Sequence, residues 1–376
     1  MEPVRISPFI FITCQVGAEP NVKSEISREF PESRLAFSRP GLLTFKLTES
    51  EARKAEEEGI RSVFARSWGF SLGTVRGENR REMVENVWKL AEGRAIQRVH
   101  VFPRDTFKIG DFKFEPRRTV EAEEICGQLC EFCTAGTPQG QSLPASCGEM
   151  VLDCILINPQ PPQETADFLR KRQKLPENGA YQEWLVGFHR VCSFSDGFPG
   201  GMLELEKEMP KNVASRAWLK MEEALRWSEF PLKENETVCE IGSAPGGATQ
   251  VLLSRGCRVI GVDPAEMHPD VMKEKRFTHV RSKIAFVSRA VFKKVRWLTC
   301  DINVPPNYTL DVIESIVSHR LVNVRGMLLT LKFPDWRMGL QVEEYLERIR
   351  CWGYEVRARQ LHYSHQEICV AAVKNG

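Results

Sequence analysis

The feature that most constrains the fold of this chain is an apolar strand that leads directly into a glycine- and proline-rich turn and then into a helix. The stretch is Val238-Cys-Glu-Ile-Gly-Ser-Ala-Pro-Gly-Gly247, and the helical pattern after it continues to Ser254. In an open α/β sheet, ligands bind at the carboxyl ends of the strands, and glycine lets the backbone approach them closely. The turn has neither the G-x-G-x-x-G pattern of dinucleotide-binding loops nor the G-K-[ST] ending of a Walker loop. The sequence therefore indicates a ligand site that belongs to neither of these classes.

A carboxylate follows the next strand. This strand covers Arg258–Val262, and Asp263 comes directly after it. At the tip of the second strand of such a fold, a carboxylate can accept hydrogen bonds from ribose hydroxyl groups. The combination indicates an adenosine-containing cofactor, whose identity the pattern leaves open. The competing interpretation is purely structural, because Gly/Pro turns are common and many strands end in Asp.

From about residue 212 onward, strands alternate with helices, which is typical of a doubly wound α/β sheet. We therefore predict a Rossmann-like domain over 212–376. Its last two strands form a hairpin that would add an antiparallel edge strand to a parallel sheet. The predicted helices lie at 214–227, 247–254, 310–324 and 340–352, and the predicted strands at 237–242, 258–263, 295–301, 327–333, 354–363 and 367–373.

The first half of the chain has a different, α+β pattern, in which strands and helices do not alternate regularly. It divides into a module at 1–75, a second module at 76–195 and a turn-rich linker at 196–211. The predicted strands lie at 9–16, 34–47 (a strand pair), 63–75, 98–103, 150–158 and 183–192, and the predicted helices at 19–30, 50–59, 79–92 and 120–135.

Composition limits the class of protein. With 42% apolar residues the chain is too hydrophobic to be disordered. It contains no run of about eighteen apolar residues that would span a membrane, and its N-terminus lacks the pattern of a secretory signal. We therefore expect a soluble, cytoplasmic protein whose 12 cysteines are free thiols rather than a disulfide framework.

Charge is distributed unevenly along the chain. Residues 121–210 carry 6 basic and 14 acidic side chains, whereas residues 273–296 carry nine basic side chains and one acid. A local cluster of basic side chains can bind phosphate groups. It can equally be a solvated helix face or loop.

The loop Glu240–Gly247 resembles the S-adenosylmethionine loop of the FtsJ-type RNA 2'-O-methyltransferases, whose pattern is acid-x-G-x-x-P-G-G. The resemblance covers roughly residues 212–376 and is strongest to the bacterial enzymes that methylate a cytidine ribose in 23S rRNA. The first half resembles more weakly the accessory modules of that family, a ferredoxin-like module at 1–75 and a THUMP-like RNA-binding module at 76–195. The matching stretches are SRAWLKMEEA at 215–224, LTCDI at 298–302, LKFP at 331–334, ARQLHY at 358–363 and, in the first half, FARSWGF at 64–70.

The resemblance implies a cofactor, S-adenosyl-L-methionine, and a set of site residues. By motif, the family's catalytic Lys-Asp-Lys-Glu tetrad falls on Lys220, Asp301, Lys332 and Glu367. The residues implied in binding the cofactor are Ser215, Gly242, Ser243, Ala244, Pro245, Gly246, Gly247, Asp263 and Asp301.

The chemistry of a ribose acceptor explains the residue types of the tetrad. A hydroxyl group is a poor nucleophile unless its proton is removed or strongly polarised. A lysine can act as the base only if its pKa is lowered, by partial burial or by a second cation. We therefore expect Lys332 to accept the proton, Lys220 to supply the second cation, and Asp301 and Glu367 to orient the ammonium groups. Because the methyl donor is a sulfonium, the transfer depends mainly on in-line positioning.

The sequence departs from the family after the third strand, where the family usually carries an acid on the adenine side. The corresponding stretch is His279-Val-Arg-Ser-Lys-Ile284, with Lys283 near the position of the acid. We expect this departure to affect the affinity of the protein for its cofactor.

Other candidate residues have ordinary structural explanations. Cys126, Cys130 and Cys133 have the spacing of one helix face, so we expect a core stripe and no metal site. Glu222 and Glu223, which flank Lys220 in the predicted helix, are expected on its surface.

Two histidines lie near Glu367 in the sequence. We interpret His362 and His365 as candidate contacts to RNA or to the sheet edge.

Taken together, the sequence predicts an S-adenosylmethionine-dependent RNA 2'-O-methyltransferase. Large-subunit rRNA is the expected substrate and partner, with no obligate protein partner and no membrane. Two alternatives stay open. The first is a tRNA ribose methyltransferase, because THUMP modules often serve tRNA modification. The second is an RNA-binding ribosome-assembly factor that has lost catalysis; the intact tetrad argues against it and the altered stretch 279–284 argues for it.

Overall fold

The computed structural model describes residues 7–107, 118–133, 138–140, 143–158, 182–193 and 195–374. The chain forms two compact units, Met1–Leu203 and Glu204–Gly376. Within the described ranges, no helix combines the length and the apolar character needed to cross a membrane.

The first unit contains four helices and seven strands among its described residues. They are β1 (Phe9–Thr13), α1 (Glu19–Glu29), β2 (Arg34–Arg39), β3 (Leu42–Lys46), α2 (Glu49–Glu58), β4 (Ser67–Gly77), α3 (Arg80–Leu90), β5 (Arg98–Pro103), α4 (Val120–Phe132), β6 (Met150–Leu156) and β7 (Gln182–Arg190). The strands form one sheet in the order β2-β3-β1-β4-β7-β6-β5. Neighbouring strands are antiparallel except β5 and β6, which are parallel.

Side-chain alternation along β5 separates two faces of this sheet. Val99 and Val101 belong to the apolar core that α3 and α4 cover, whereas Phe102 belongs to a second cluster. Because successive strand residues point to opposite faces, His100 shares the face of Phe102. Two 3₁₀ turns, Ser195–Gly197 and Pro199–Gly201, cover this second face; a Cβ added at Gly200 would lie 2.6 Å from the Phe102 ring.

The second unit is built around a parallel sheet with helices between the strands. Its elements are α5 (Ala217–Ser228), β8 (Thr237–Ile241), α6 (Gly247–Ser254), β9 (Arg258–Val262), α7 (Pro269–Met272), β10 (Phe277–Val280), β11 (Trp297–Cys300), α8 (Pro306–Val317), β12 (Gly326–Lys332), α9 (Val342–Cys351), β13 (Glu355–Arg359) and β14 (Glu367–Val373).

The strand order β10-β9-β8-β11-β12-β14-β13 confirms the predicted doubly wound sheet. The order reverses between β8 and β11, and ligands bind at the carboxyl ends of strands beside such a reversal. The predicted hairpin does lie at the sheet edge. However, its antiparallel strand is not the outermost one, because β14 pairs with β12 and leaves β13 at the edge.

One helix lies several residues earlier than its periodicity indicates. We predicted 310–324, but α8 covers Pro306–Val317. Proline is favoured in the first turn of a helix, where its missing N–H has no partner to lose. The apolar residues Val322 and Val324 extended the predicted pattern, but they are buried in the connection that follows the helix.

Candidate active site

The turn between β8 and α6 has the tight geometry that its glycines predict. Gly242 and Gly246 have φ values of +83° and +117°, which residues with side chains rarely adopt. A Cβ at Gly242 would lie 2.5 Å from the carbonyl oxygen of Asp301, and one at Gly247 would lie 2.4 Å from Oγ of Ser215. Only glycine therefore lets the turn pack between Asp301 and Ser215.

Asp263 holds the same turn from the neighbouring strand. Its Oδ2 accepts a hydrogen bond from the backbone N–H of Ala244 at 3.1 Å, and its Oδ1 accepts one from that of Ala265 at 2.8 Å. On the other side of the turn, the carbonyl oxygen of Pro245 accepts a hydrogen bond from the N–H of His268 at 2.8 Å. Together with the buried Ser243, the structure thus brings all the predicted cofactor residues around one turn.

Glu240, the acid of the motif, is buried in β8 and was not among the site residues predicted from the sequence. The hydroxyl of Thr249 donates a hydrogen bond to its Oε2 at 2.5 Å. Burial raises the pKa of Glu240 to about 8, and the carboxylates of Asp301 and Asp263 contribute, although the Thr249 hydrogen bond opposes the shift. Its place in the acid-x-G pattern was the available sequence signal.

Lys220, Asp301, Lys332 and Glu367 converge into one cluster of ion pairs. Nζ of Lys220 lies 2.5 Å from Oε1 of Glu367 and 3.8 Å from Oδ2 of Asp301. Nζ of Lys332 lies 2.9 Å from Oδ1 of Asp301 and 3.9 Å from Oε2 of Glu367. Each ammonium group therefore contacts both carboxylates.

The sheet topology explains how residues so far apart in sequence meet. Asp301 follows β11, and Lys332 at the end of β12 is directly paired with Glu367 at the start of the antiparallel β14. Lys220 reaches the same point from α5, the helix that precedes β8. The cluster consequently lies at the carboxyl end of the parallel sheet, beside the glycine turn.

Burial and charge set the protonation states in this cluster. Burial alone would lower the pKa of Lys220, but the carboxylates of Glu367 and Asp301 outweigh it and hold the pKa above its ordinary value. Burial alone would raise the pKa of Asp301, but the ammonium groups of Lys220 and Lys332 hold it below its ordinary value. Lys220 is therefore protonated and Asp301 ionised at neutral pH.

The groups around the turn fit a ligand that carries ribose hydroxyls, an ammonium group and a carboxylate. Helix α6 begins at Gly247 without a side-chain N-cap, so its first N–H groups and its dipole favour a carboxylate. Asp301 is suited to an ammonium group, and Asp263 to ribose hydroxyls. These are the polar groups of S-adenosyl-L-methionine.

The expectation that Glu223 lies on the helix surface is wrong. The residue is 3% exposed, and its carboxylate accepts hydrogen bonds from two consecutive backbone N–H groups, those of His362 at 2.7 Å and Tyr363 at 2.9 Å. Periodicity did not reveal this, because the partner is a turn 139 residues later in the chain. Glu223 thereby fixes the turn that leads into Glu367.

One related expectation, for Glu222, is also wrong, and one part of another, the RNA contact of His362, is wrong. Glu222 is buried as well, and its Oε1 accepts hydrogen bonds from Arg226 at 2.9 Å and Arg255 at 2.7 Å. His362 is buried in the same turn as Tyr363, so it is not available as an RNA contact. His365 is partly exposed at the end of that turn.

The stretch that departs from the family pattern begins inside strand β10, which is not among the strands predicted from the sequence. His279 lies in β10, and its Nε2–H donates a hydrogen bond to the carbonyl oxygen of Asp263 at 3.0 Å. Lys283 follows the strand and is exposed to solvent. Its effect on adenine binding stays a prediction.

Two of the three cysteines of the predicted stripe, Cys126 and Cys130, pack as the helix spacing predicts. Cys126 belongs to the apolar core beneath α4, and Cys130 packs against it. Cys133 lies just beyond the end of α4 and is partly exposed.

Comparison with known proteins finds a family model that matches part of the second unit. Residues 213–339 match the model of the FtsJ-like methyltransferase family. The chain contains an FtsJ-like methyltransferase domain. This confirms the predicted S-adenosylmethionine-dependent methyltransferase domain, and its cofactor is S-adenosyl-L-methionine.

Curated relatives of the FtsJ-like domain carry the name "Ribosomal RNA large subunit methyltransferase M". The chain is 32% identical to that of Halorhodospira halophila over 181 residues, which cover 47% of this chain and 51% of the relative. It is 25% identical to that of Tolumonas auensis over 379 residues, which cover 95% of this chain and 93% of the relative. The chain thus spans about half the length of the Halorhodospira protein in that match.

Among solved structures, the Burkholderia thailandensis 1,6-didemethyltoxoflavin-N1-methyltransferase is 16% identical. It matches with a TM-score of 0.32 over 43% of this chain and 82% of its own.

Proposed function

We propose that this protein is an S-adenosylmethionine-dependent RNA 2'-O-methyltransferase that methylates a cytidine ribose in large-subunit, 23S-type rRNA. The observation that supports this most directly is the ion-pair cluster of Lys220, Asp301, Lys332 and Glu367 beside the cofactor turn. The names of the curated relatives support the rRNA substrate. The cytidine acceptor follows from the sequence resemblance.

The cofactor supplies, when bound, an electrophilic methyl group on a positively charged sulfur. Lys332 would accept the proton of the ribose 2'-hydroxyl at Nζ while the methyl group passes to the hydroxyl oxygen and its bond to sulfur breaks, which would leave a neutral thioether. The ammonium group that results is stabilised by Oδ1 of Asp301, 2.9 Å away.

Lys220 has a different role from Lys332. Its pKa is held above the ordinary value by Glu367 and Asp301, so it stays a cation and is not the proton acceptor. This cation lies beside Lys332, because both side chains contact the same two carboxylates, those of Asp301 and Glu367. Glu367 orients Lys220 and keeps this cation in place.

The basic segment 273–296 supports an RNA substrate. Four of its lysines are exposed and make no ion pair among the residues that the structure describes: Lys275, Lys283, Lys293 and Lys294. Phe286 lies within the segment and is 81% exposed. Exposed cations contact phosphates, and an exposed aromatic ring can stack on a base, so the combination suits single-stranded RNA.

The first unit is assigned a positioning role in this proposal. We propose a ferredoxin-like module at 1–75 and a THUMP-like module at 76–195 that contacts the RNA, although their strands join in one sheet. The segment 196–211 leads from them to the methyltransferase domain at 212–376.

The test is methyl transfer from S-adenosylmethionine labelled in the methyl group to 23S rRNA that lacks the modification. The modified position is mapped by its resistance to alkaline cleavage, because a 2'-O-methyl group removes the attacking hydroxyl. We expect Lys332→Ala to abolish transfer while cofactor and RNA binding change little. The control is Lys233→Ala, an exposed lysine of the same domain.

Two results would overturn the proposal. Normal transfer by Lys332→Ala would remove the assignment of the base. Methyl groups found on a base, or on tRNA in preference to rRNA, would replace the acceptor or the substrate class.

A further inference from the structure

The first unit contains a second cluster of buried polar side chains, which the proposed methyl transfer does not use. His100, Asp153 and His189 are all buried, with at most 7% of each residue exposed. They lie on adjacent strands, where His100 in β5 is directly paired with Asp153 in β6 and β7 contributes His189. Their side-chain ligand atoms all lie within 4.8 Å of one another.

His189 is oriented in the way that metal-binding histidines are. Its Nε2 lies 3.0 Å from the carbonyl oxygen of Asp196, which can only accept, so Nε2 carries the hydrogen and donates it. Metal-binding histidines commonly donate their second N–H to a backbone carbonyl, which fixes the tautomer and directs the other nitrogen at the ion. That other nitrogen, Nδ1, lies 2.6 Å from Oδ2 of Asp153.

The surroundings of His100 are the main evidence for a bound ligand. Both of its ring nitrogens are buried, and neither has a hydrogen-bond partner in the part of the chain that the structure describes. Buried polar atoms without partners are rare in native proteins, and each calls for an explanation such as an absent ion. Its ring centroid lies 5.9 Å from that of His189, so both imidazoles reach the same small volume.

We propose that His100, Asp153 and His189 bind one divalent transition-metal ion, with Zn²⁺ as the best match. Two imidazoles and one carboxylate form a typical zinc ligand set, with water able to complete a tetrahedron. Ligand atoms around tetrahedral zinc lie about 3.4 Å apart. The present separations extend from 2.6 Å to at most 4.8 Å, so small shifts of the side chains suffice.

The ion would give His100 its missing partner and would take the place of the proton between His189 and Asp153. It would join β5, β6 and β7 through their side chains. Through the hydrogen bond from His189 to Asp196, it would also fix the 3₁₀ turn Ser195–Gly197 on this face of the sheet. The site is therefore structural, and its loss should lower the stability of the first unit rather than change the chemistry of methyl transfer.

The test uses the purified full-length chain, stripped with a chelator and then titrated with Zn²⁺ alone by calorimetry. We expect one ion per chain and a rise in the melting temperature on loading. His100→Gln should bind Zn²⁺ at least about tenfold more weakly. His319→Gln, which removes a partly exposed histidine of the second unit, should bind like the wild type.

X-ray absorption of the zinc-loaded wild type keeps the proposal testable if the histidine variant does not fold. It should show nitrogen and oxygen neighbours at about 2.0–2.1 Å, with imidazole scattering and no sulfur. The proposal is overturned if the wild type takes up no stoichiometric zinc, if His100→Gln binds as tightly as the wild type, or if sulfur neighbours place the ion on cysteines.

Discussion

Replacing Glu223 by Gln tests how the fold holds the active site. The carboxylate of Glu223 is buried and accepts the N–H groups of His362 and Tyr363 at 2.7 and 2.9 Å. Glutamine keeps the volume of the side chain but turns one acceptor oxygen into an NH₂ donor. One of the two backbone N–H groups would then face a donor, inside a turn that ends at Glu367.

The size of the effect follows from the two hydrogen bonds. A hydrogen bond to a charged group contributes about 1.5–3 kcal/mol, and a buried N–H left without an acceptor costs about 1–3 kcal/mol. We therefore expect Glu223→Gln to lower the free energy of unfolding of the second unit by about 3 kcal/mol. For a unit of this size that corresponds to a fall in melting temperature of roughly 6–12 °C.

The assay is thermal unfolding with and without S-adenosylmethionine, because the transition that the cofactor shifts belongs to the second unit. Methyl transfer should fall in the same variant, since Glu367 depends on the position of the turn. The matched control is Glu344→Gln, an exposed glutamate of α9, which should stay within about 0.5 kcal/mol of the wild type. If Glu223→Gln behaves like this control, the two hydrogen bonds do not hold the turn and the reasoning is wrong.

Three other predictions concern the same domain. Gly242→Ala would place a Cβ 2.5 Å from the carbonyl oxygen of Asp301 at a φ of +83°. Calorimetry should therefore show at least tenfold weaker cofactor binding, roughly 1.4 kcal/mol or more. Unchanged affinity would contradict the idea that the turn must pack this closely against Asp301. Burial raises the pKa of Glu240 from 4.5 to about 8, so the folded state holds a proton that the unfolded state releases above about pH 4.5. The stability that this proton supplies is complete below that pH and is lost as the pH rises to about 8. The melting temperature of the wild type should therefore fall between pH 5 and 9 by an amount that Glu240→Gln does not show. Parallel curves for the two proteins would refute the assignment. Phe286→Ala should weaken RNA binding by about 1–3 kcal/mol in a filter-binding assay without changing cofactor affinity, and equal RNA affinity would exclude base stacking at this position.

The site could be predicted from sequence where its chemistry depends on neighbours along the chain. The turn Glu240–Gly247 is such a case, because an apolar strand, positive-φ glycines and a helix start are all local properties. Strand and helix periodicity in the second half likewise predicted the doubly wound sheet. The tetrad was placed by family motif, and the structure brings its four residues together, although its catalytic role stays a prediction.

Burial of individual polar residues could not be predicted in the same way. Glu222 and Glu223 flank Lys220 in the sequence of α5 and look like surface residues, yet both carboxylates are enclosed by partners from distant segments. His362 looked like an exposed contact and is buried in the turn that Glu223 holds. Whether a charged side chain is buried depends on what packs over it, and a helical pattern contains no information about that.

The sequence by itself therefore determined most of the local elements and the cofactor turn, because backbone conformation and apolar periodicity are short-range properties. Only the tertiary structure decided that the antiparallel β14 lies inside the sheet and pairs Lys332 with Glu367. It also decided that His100, Asp153 and His189, on three separate strands, share one buried volume. Contacts between residues so distant in sequence depend on strand order and register. These are set by the packing of the whole core rather than by any single stretch of the chain.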